Sequence, residues 1–336
     1  MSFYRLYRDI ISNHLCVDCG ACKLICPANV IDYERDLTSY EPHLTGKCLG
    51  ESCGKCADVC PGAYVPLKEI EGTLMGRSRE EGTVEDTMGI LKRVYVAQWD
   101  DETILQATGS GGVVTGLLVH AMEKGLIDAA VVTGPDPDKP WLSQAVLATS
   151  PEEIIHHGGS RYDSFPQLSA LQEAVDRGFS KIGFVALPCH THALRKLQLD
   201  KQYAKFTKRI QFILGLWCVG NFTKNGIEYL VNKRFGFSLD DVDTLNYRTR
   251  PFPGQLTITS KSGETKSELW VSRYTLHLLA RSFYMEACRF CTDGFAELAD
   301  ISFGDPWGYK TDKIALETGI GYSCALVRTS EGEQLM

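Results

Sequence analysis

Cys16-Val17-Asp18-Cys19-Gly20-Ala21-Cys22-Lys23-Leu24-Ile25-Cys26-Pro27 is a C-x2-C-x2-C-x3-C run closed by proline. Downstream, Cys48, Cys53, Cys56, Cys60 and Pro61 repeat it, with C-x4-C in place of the first C-x2-C. The two runs make an internal repeat of about 33 residues. Pro27 and Pro61 stop each loop from continuing as a regular helix and turn the chain away.

The spacing is that of bacterial two-cluster ferredoxins. Three thiolates on one tight loop can cap three corners of a 4Fe-4S cubane, and the fourth must arrive from elsewhere. In such modules the last cysteine of each run crosses to the other half. Cys16, Cys19, Cys22 and Cys60 are therefore expected on one cluster, and Cys48, Cys53, Cys56 and Cys26 on the other. The competing reading is a pair of zinc sites, because C-x2-C is also a zinc signature. Two repeated runs of four cysteines, each ending in Cys-Pro, speak for cubanes instead.

The rest of the composition agrees with that chemistry. Thirteen cysteines in 336 residues, with no secretory signal behind Arg5 and Arg8, read as metal ligands in a reducing cytoplasm. No stretch approaches the roughly 20 apolar residues of a membrane span. A net charge of -7 argues against nucleic acid as the main partner. At this length, a small electron-transfer module and a larger domain fit side by side.

Domain boundaries follow from texture. Residues 1–66 form the α+β ferredoxin-like module, and 67–92 a connector, since Leu67 to Asp86 is rich in Glu, Gly, Arg and Ser with little apolar periodicity. Residues 93–336 read as an α/β domain. Strands are expected at Val94–Trp99, Asp128–Thr133, Lys181–Leu187 and Arg209–Trp217. They alternate with helices at Gly112–Glu123, Leu168–Asp176, His190–Leu199 and Lys224–Arg234. The first strand, helix and second strand read as a βαβ unit, and the alternation predicts a mostly parallel sheet with helices on both faces. Between Val242 and Trp270 the pattern changes to β-hairpin, with a turn at Lys261-Ser262-Gly263.

Thr108-Gly109-Ser110-Gly111-Gly112 precedes the first of those helices, where free backbone N–H groups and the helix dipole suit a pyrophosphate. A plain tight connection would read the same way. Cys189 and Cys218 each follow a strand and are expected at the carboxyl edge of the sheet, where ligands bind in such folds. With the pair Cys288 and Cys291 they would complete a third cubane. As small buried hydrophobes they would need no ligand at all, and spacing does not choose between the two.

Four segments in order carry a more specific signal: Gly109-Ser110-Gly111-Gly112-Val113-Val114-Thr115, Leu187-Pro188-Cys189-His190, Trp217-Cys218-Val219-Gly220-Asn221, and Cys288-Arg289-Phe290-Cys291-Thr292-Asp293 followed by Ala299 to Asp305. Over about residues 93 to 310 the chain resembles the family of beta subunits of coenzyme F420 hydrogenases and dehydrogenases. The resemblance implies an FAD, with its pyrophosphate near Ser110, Gly111, Gly112, Val113 and Thr115, and Ser160, Arg161, Tyr162 and Asn221 as further cofactor contacts. It also implies a third 4Fe-4S cluster on Cys189, Cys218, Cys288 and Cys291, leaving Cys324 as a buried structural thiol. Arg161 is the first candidate contact, against a plain solvated arginine. Arg248 and Arg250 stand in a turn with Pro251 and Pro253, either facing the anionic tail of the deazaflavin or forming a surface cluster. His190 and His192 flank Cys189 as donors behind its ligands or as helix-surface residues.

The function so implied is oxidation of reduced coenzyme F420. A hydride would pass to FAD, and single electrons through the clusters to a partner protein, a component of a membrane complex or a soluble carrier. No side-chain nucleophile is required. The location implied is the cytoplasm, extending to the inner face of a membrane. The alternatives are a ferredoxin-dependent reductase of the same family, acting on a chlorophyll-type side chain, and a non-catalytic electron-transfer subunit.

Overall fold

Glycines placed before each short cysteine-bearing segment decide how the amino-terminal module is built. Gly20 and Gly54 take left-handed backbone (φ 87° and 63°) and open two single-turn helices, Ala21–Leu24 and Lys55–Asp58, so the sequence repeat is also a structural one. The computed structural model describes residues 3–35, 40–272 and 275–336; the first two residues of the amino-terminal module lie outside them. Helix Phe3–Asp9 and an antiparallel ribbon, β1 (Ile31–Arg35) on β2 (Tyr40–Leu44), complete the module. Cys19, Cys22 and Cys56 are buried there among Phe3, Leu6, Ile10 and Ile25.

The module shares its core with the large domain: the same apolar cluster runs on into Leu168, Leu171 and Leu194. The Leu168 N–H donates to the Cys19 carbonyl at 2.9 Å. A Cβ at Gly20 would lie 3.0 Å from the Pro166 carbonyl oxygen, so the close approach itself calls for glycine. Lys196 Nζ donates to the carbonyls of Cys60 (2.8 Å) and Tyr64 (2.6 Å).

The connector departs from expectation. Leu67–Met75 is a helix with Ile70 and Glu71 buried, and Glu85–Met88 a further turn. Arg79 bridges Glu71 (2.7 Å) and Glu297 (2.5 Å), tying the segment to the large domain. The apolar stripe is too narrow, and too interrupted by partnered charges, to register as periodicity.

The large domain is built on β3 (Arg93–Ala97), β4 (Ala129–Pro135), β5 (Ser143–Ala148), β6 (Ile182–Ala186) and β7 (Ile210–Leu216). After these come β8 (Val242–Thr249), β9 (Gln255–Ser260), β10 (Thr265–Leu269), β11 (Ile301–Gly304) and β12 (Ser323–Val327). Seven of them form one sheet in the order β3-β12-β11-β7-β6-β4-β5. The central strands β11, β7, β6 and β4 are mutually parallel, whereas β5 and β12 run against them. β3 is antiparallel to β12 and so points with the centre. Period-two alternation sends Ile182, Phe184 and Ala186 to the face packed by helices Ala170–Asp176 and Pro188–Leu199. Val185, Val132 and Leu214 go to the face packed by helix Val113–Glu123. The expected mostly parallel sheet with helices on both faces is present.

Three details differ. β3 and β4 are not neighbours, because four strands lie between them, so the first helix makes a wide crossover rather than a local βαβ unit. The hairpin is a three-stranded antiparallel sheet, β8-β9-β10, with Gly263 (φ 88°) in the expected turn. The helix over Lys224–Arg234 is α-helical only to Glu228 and then widens into a π-turn over Tyr229–Arg234.

Candidate functional site

The cysteines fall into three sets, recognisable from which thiols perturb one another in the buried interior. Burial, then Cys60 and Cys22, pushes the Cys19 thiol well above its ordinary value. Burial likewise raises Cys22 to about 12, with Cys60 and Cys56 nearby. For Cys56, burial and then Cys48, Cys53 and Cys26 push the thiol up to about 11. Cys60 thus lies near Cys19 and Cys22, and Cys26 near Cys56, while Cys22 and Cys56 are also near one another. Among the described residues no group of three or more His, Cys, Asp or Glu converges tightly enough for a single metal ion.

The third set comes together from three places. Cys189 lies in the first turn of helix Pro188–Leu199, Cys218 just past β7, and Cys288 and Cys291 at and beyond the short helix Glu286–Arg289. Burial, then Cys218, Cys288, Cys19 and Cys291, raises the Cys189 thiol well above its ordinary value. Burial first, and then Cys288, take Cys218 to about 12. Cys189 is therefore within electrostatic reach of Cys218, Cys288 and Cys291 and of Cys19 in the module. Asp18 is 1% exposed and accepts a hydrogen bond from Ser164 Oγ at 2.5 Å at this junction. Cys324 is buried in β12, apart from the three sets.

Neighbouring residues fix the third set. The Asn221 N–H donates to Cys288 Sγ at 3.4 Å, so the contact Asn221 makes with the set is through its backbone. His192 Nε2 lies 2.9 Å from Asp293 Oδ2 and ties the Cys189 helix to the loop after Cys291, rather than touching a cysteine. His190 is 1% exposed, neither ring nitrogen has a protein partner, and burial lowers its pKa to about 4.

A cavity of about 410 Å³ opens at the carboxyl edge of the parallel strands, with Cys218 and His190 in its wall. Thr108 to Thr115 form one side. Gly112 (φ 72°) begins helix Val113–Glu123 with no side-chain cap, leaving its first-turn amides without one. A Cβ at Gly111 would sit 2.6 Å from the Ser323 nitrogen and 2.9 Å from the Ala97 oxygen, so the loop nests against β3 and β12. The Ser110 hydroxyl is engaged within the protein, 2.6 Å from Asp305 Oδ1 and 2.9 Å from the Tyr322 carbonyl. Thr115 is buried in the first turn.

The opposite side carries the Gly159–Tyr162 segment. Ser160 bridges to Tyr247 through the backbone, and Tyr162 packs against Trp270 (4.7 Å), Tyr247 (5.2 Å) and Phe222 (6.0 Å). Arg161 is not a solvated arginine: burial lowers its pKa, and its guanidinium meets the Pro140 carbonyl at 3.4 Å. The two arginines near the prolines separate. Arg248 is held by Asp305 Oδ2 at 2.5 Å in the cavity wall, while Arg250 turns to Glu102 at 3.2 Å. Sequence reasoning gave no role to Asp305, although it closes the Ala299 to Asp305 segment, nor to His157 and Trp217, which line the cavity with Nδ1 and Nε1 unpartnered. No local pattern pointed to them: the close fit of the Trp217 ring over Gly304 is a contact between distant parts of the chain.

Comparison with known proteins fits this arrangement. Residues 94–172 and 179–336 match models of the amino- and carboxy-terminal parts of the coenzyme F420 hydrogenase/dehydrogenase beta subunit, and 8–61 match a 4Fe-4S dicluster domain. The coenzyme F420-dependent sulfite reductase of Methanocaldococcus jannaschii is 26% identical over 98% of this chain, which spans about half (46%) of that relative. The coenzyme F420 hydrogenase beta subunit of Methanosarcina barkeri is 32% identical over 66% of this chain and 74% of its own length. One component of the F(420)H(2) dehydrogenase of Methanosarcina mazei is 26% identical over 94% of this chain and 83% of its own. A chain of the F420-reducing NiFe hydrogenase complex of Methanosarcina barkeri superposes with a TM-score of 0.59 at 27% identity, covering 74% of this chain and 79% of that one. The shared large domain, with cysteine runs ahead of it that match a dicluster module, places this chain in the family of coenzyme F420 hydrogenase/dehydrogenase beta subunits.

Proposed function

We propose that this protein oxidises reduced coenzyme F420 by hydride transfer to an FAD in the carboxyl-edge cavity. Single electrons then pass through a cluster on Cys189, Cys218, Cys288 and Cys291 to the two ferredoxin-type clusters and on to a partner. The observation that carries the reading is contiguity: Cys218 lines the cavity, and the module that bears the two cysteine runs is joined to the same domain through the Cys19 carbonyl and a shared apolar core.

The lining suits a flavin dinucleotide. Ser110, Gly112, Val113 and Thr115 line the cavity at an uncapped helix start and would offer backbone amides to the pyrophosphate, with Gly111 packed behind them against β3 and β12. Trp217 Nε1, His157 Nδ1 and both His190 nitrogens stand unpartnered in the wall, ready for polar groups of a planar ligand. FAD, when bound, supplies the exchange between a hydride and single electrons. The chain's own part is placement. Tyr162 and Trp270, tilted 41° to one another, form an aromatic part of the wall, Asn221 joins the wall to Cys288, and Arg161 and Arg248 offer cationic charge to a coenzyme that carries phosphate and carboxylates.

The acceptor we propose is a separate polypeptide, soluble or part of a membrane complex met from the cytoplasm. No helix among the described residues is long and apolar enough to cross a membrane. Purified, cofactor-replete protein is expected to oxidise reduced coenzyme F420 with a viologen as acceptor. Absence of that activity in material carrying full iron and flavin would overturn the reading.

A further inference from the structure

Three of the four cysteines in each ferredoxin-type run are related by an offset of 34 residues, Cys19 to Cys53, Cys22 to Cys56 and Cys26 to Cys60. A repeat of this kind starts from two equal sites. A path with a direction needs them unequal, and besides the longer spacing after Cys48 the first strand of the module supplies a difference.

In β1, Ile31 is buried and Tyr33 follows two residues on, so both point to the same side, into the module core. The Tyr33 hydroxyl reaches Cys22 Sγ at 3.2 Å. Asp32, on the other side of the strand, accepts from Lys23 Nζ at 2.6 Å and from the Tyr33 N–H at 2.8 Å. Lys23 sits in the single-turn helix that also carries Cys22, so the strand bearing the hydroxyl is tied to the helix bearing the thiol. The position 34 residues after Tyr33 is Leu67, which opens the connector helix and has no hydroxyl to donate.

A phenol keeps its proton at neutral pH, whereas a cluster-bound cysteine is a thiolate, so between these two atoms Tyr33 must be the donor. A hydrogen bond to a ligand sulfur draws off negative charge that grows when the cluster takes an electron, and so raises its reduction potential. The set that receives this donor contains Cys19, whose carbonyl accepts from the Leu168 N–H of the large domain at 2.9 Å.

We propose that Tyr33 is a positioning residue for electron transfer. By donating to Cys22 it raises the potential of the cluster on Cys16, Cys19, Cys22 and Cys60, making that cluster the favoured first acceptor for electrons leaving the Cys189 set. The inference rests on the cluster assignment proposed above, but not on the identity of the hydride donor.

The test is an EPR-monitored redox titration of the full-length, cluster-replete protein and its Tyr33→Phe variant. In Tyr33→Phe, one ferredoxin-type cluster is expected to shift to lower potential, the reduced-to-oxidised ratio at a fixed potential falling about tenfold, ~59 mV for a one-electron couple. The others stay in place. Unchanged midpoints at full iron content, or an equal displacement of all clusters, would overturn the proposal. Where Tyr33→Phe fails to load iron, the wild-type chain made with 3-fluorotyrosine gives the same decision with opposite sign: its more acidic phenol donates more strongly, and one midpoint should rise. No rise there would overturn it equally. The titration needs neither flavin nor deazaflavin, so failure of the dehydrogenase reading would leave this result legible.

Discussion

At Gly111 two backbone atoms, the Ser323 nitrogen and the Ala97 oxygen, occupy the space a side chain would need. Neither is the tip of a flexible group, so Gly111→Ala must move the loop itself. A destabilisation of about 1–3 kcal/mol is expected, together with loss of bound flavin while iron is retained; thermal unfolding and the visible spectrum measure the two. Wild-type flavin content in the variant would show that the loop is only a tight connection. Asp305 illustrates a different residue-scale point. It takes up both the Ser110 hydroxyl and the Arg248 guanidinium, so the serine in the glycine loop serves the wall of the cavity, and the backbone around it is what remains for an anion.

Helix Pro188–Leu199 links two jobs. Its first turn carries Cys189, and further along Lys196 holds the carbonyls of Cys60 and Tyr64 in the module. Lys196→Met keeps the aliphatic packing and removes both hydrogen bonds. Amide exchange around residues 60–64 is expected to quicken by about tenfold, as for one lost buried hydrogen-bonding partner. Hydrogen-exchange mass spectrometry reads this directly, and unaltered protection would mean that the clamp contributes nothing. The helix was legible as an element from its apolar period. Its role as a strut was not, because the partners of Lys196 are backbone carbonyls of a distant segment and leave no mark in residue type.

Across the whole molecule, the apolar cluster that buries Cys19, Cys22 and Cys56 continues without a break into Leu168, Leu171 and Leu194. Module and large domain should therefore unfold together. In denaturant, loss of cluster absorbance and of helical signal are expected to coincide in one transition. Two well-separated transitions would show that the shared core does not couple them. The connector belongs to the same picture: its charges looked like those of a free linker, yet Glu71 and Arg79 are committed to a buried bridge to Glu297.

The thiolate spacing, the repeat, the glycine-rich helix start and the alternation of strands and helices are local patterns, set by residues within a few turns of one another, and the sequence alone determined them. It thereby carried the match of the two runs to a 4Fe-4S dicluster domain and the mostly parallel sheet. Only the tertiary structure decided that four strands lie between β3 and β4, that Arg248 faces the cavity while Arg250 does not, and that the Cys19 carbonyl meets the Leu168 N–H of the large domain. Those are contacts between distant parts of the chain, fixed by how buried faces pack, and no spacing along the chain encodes them.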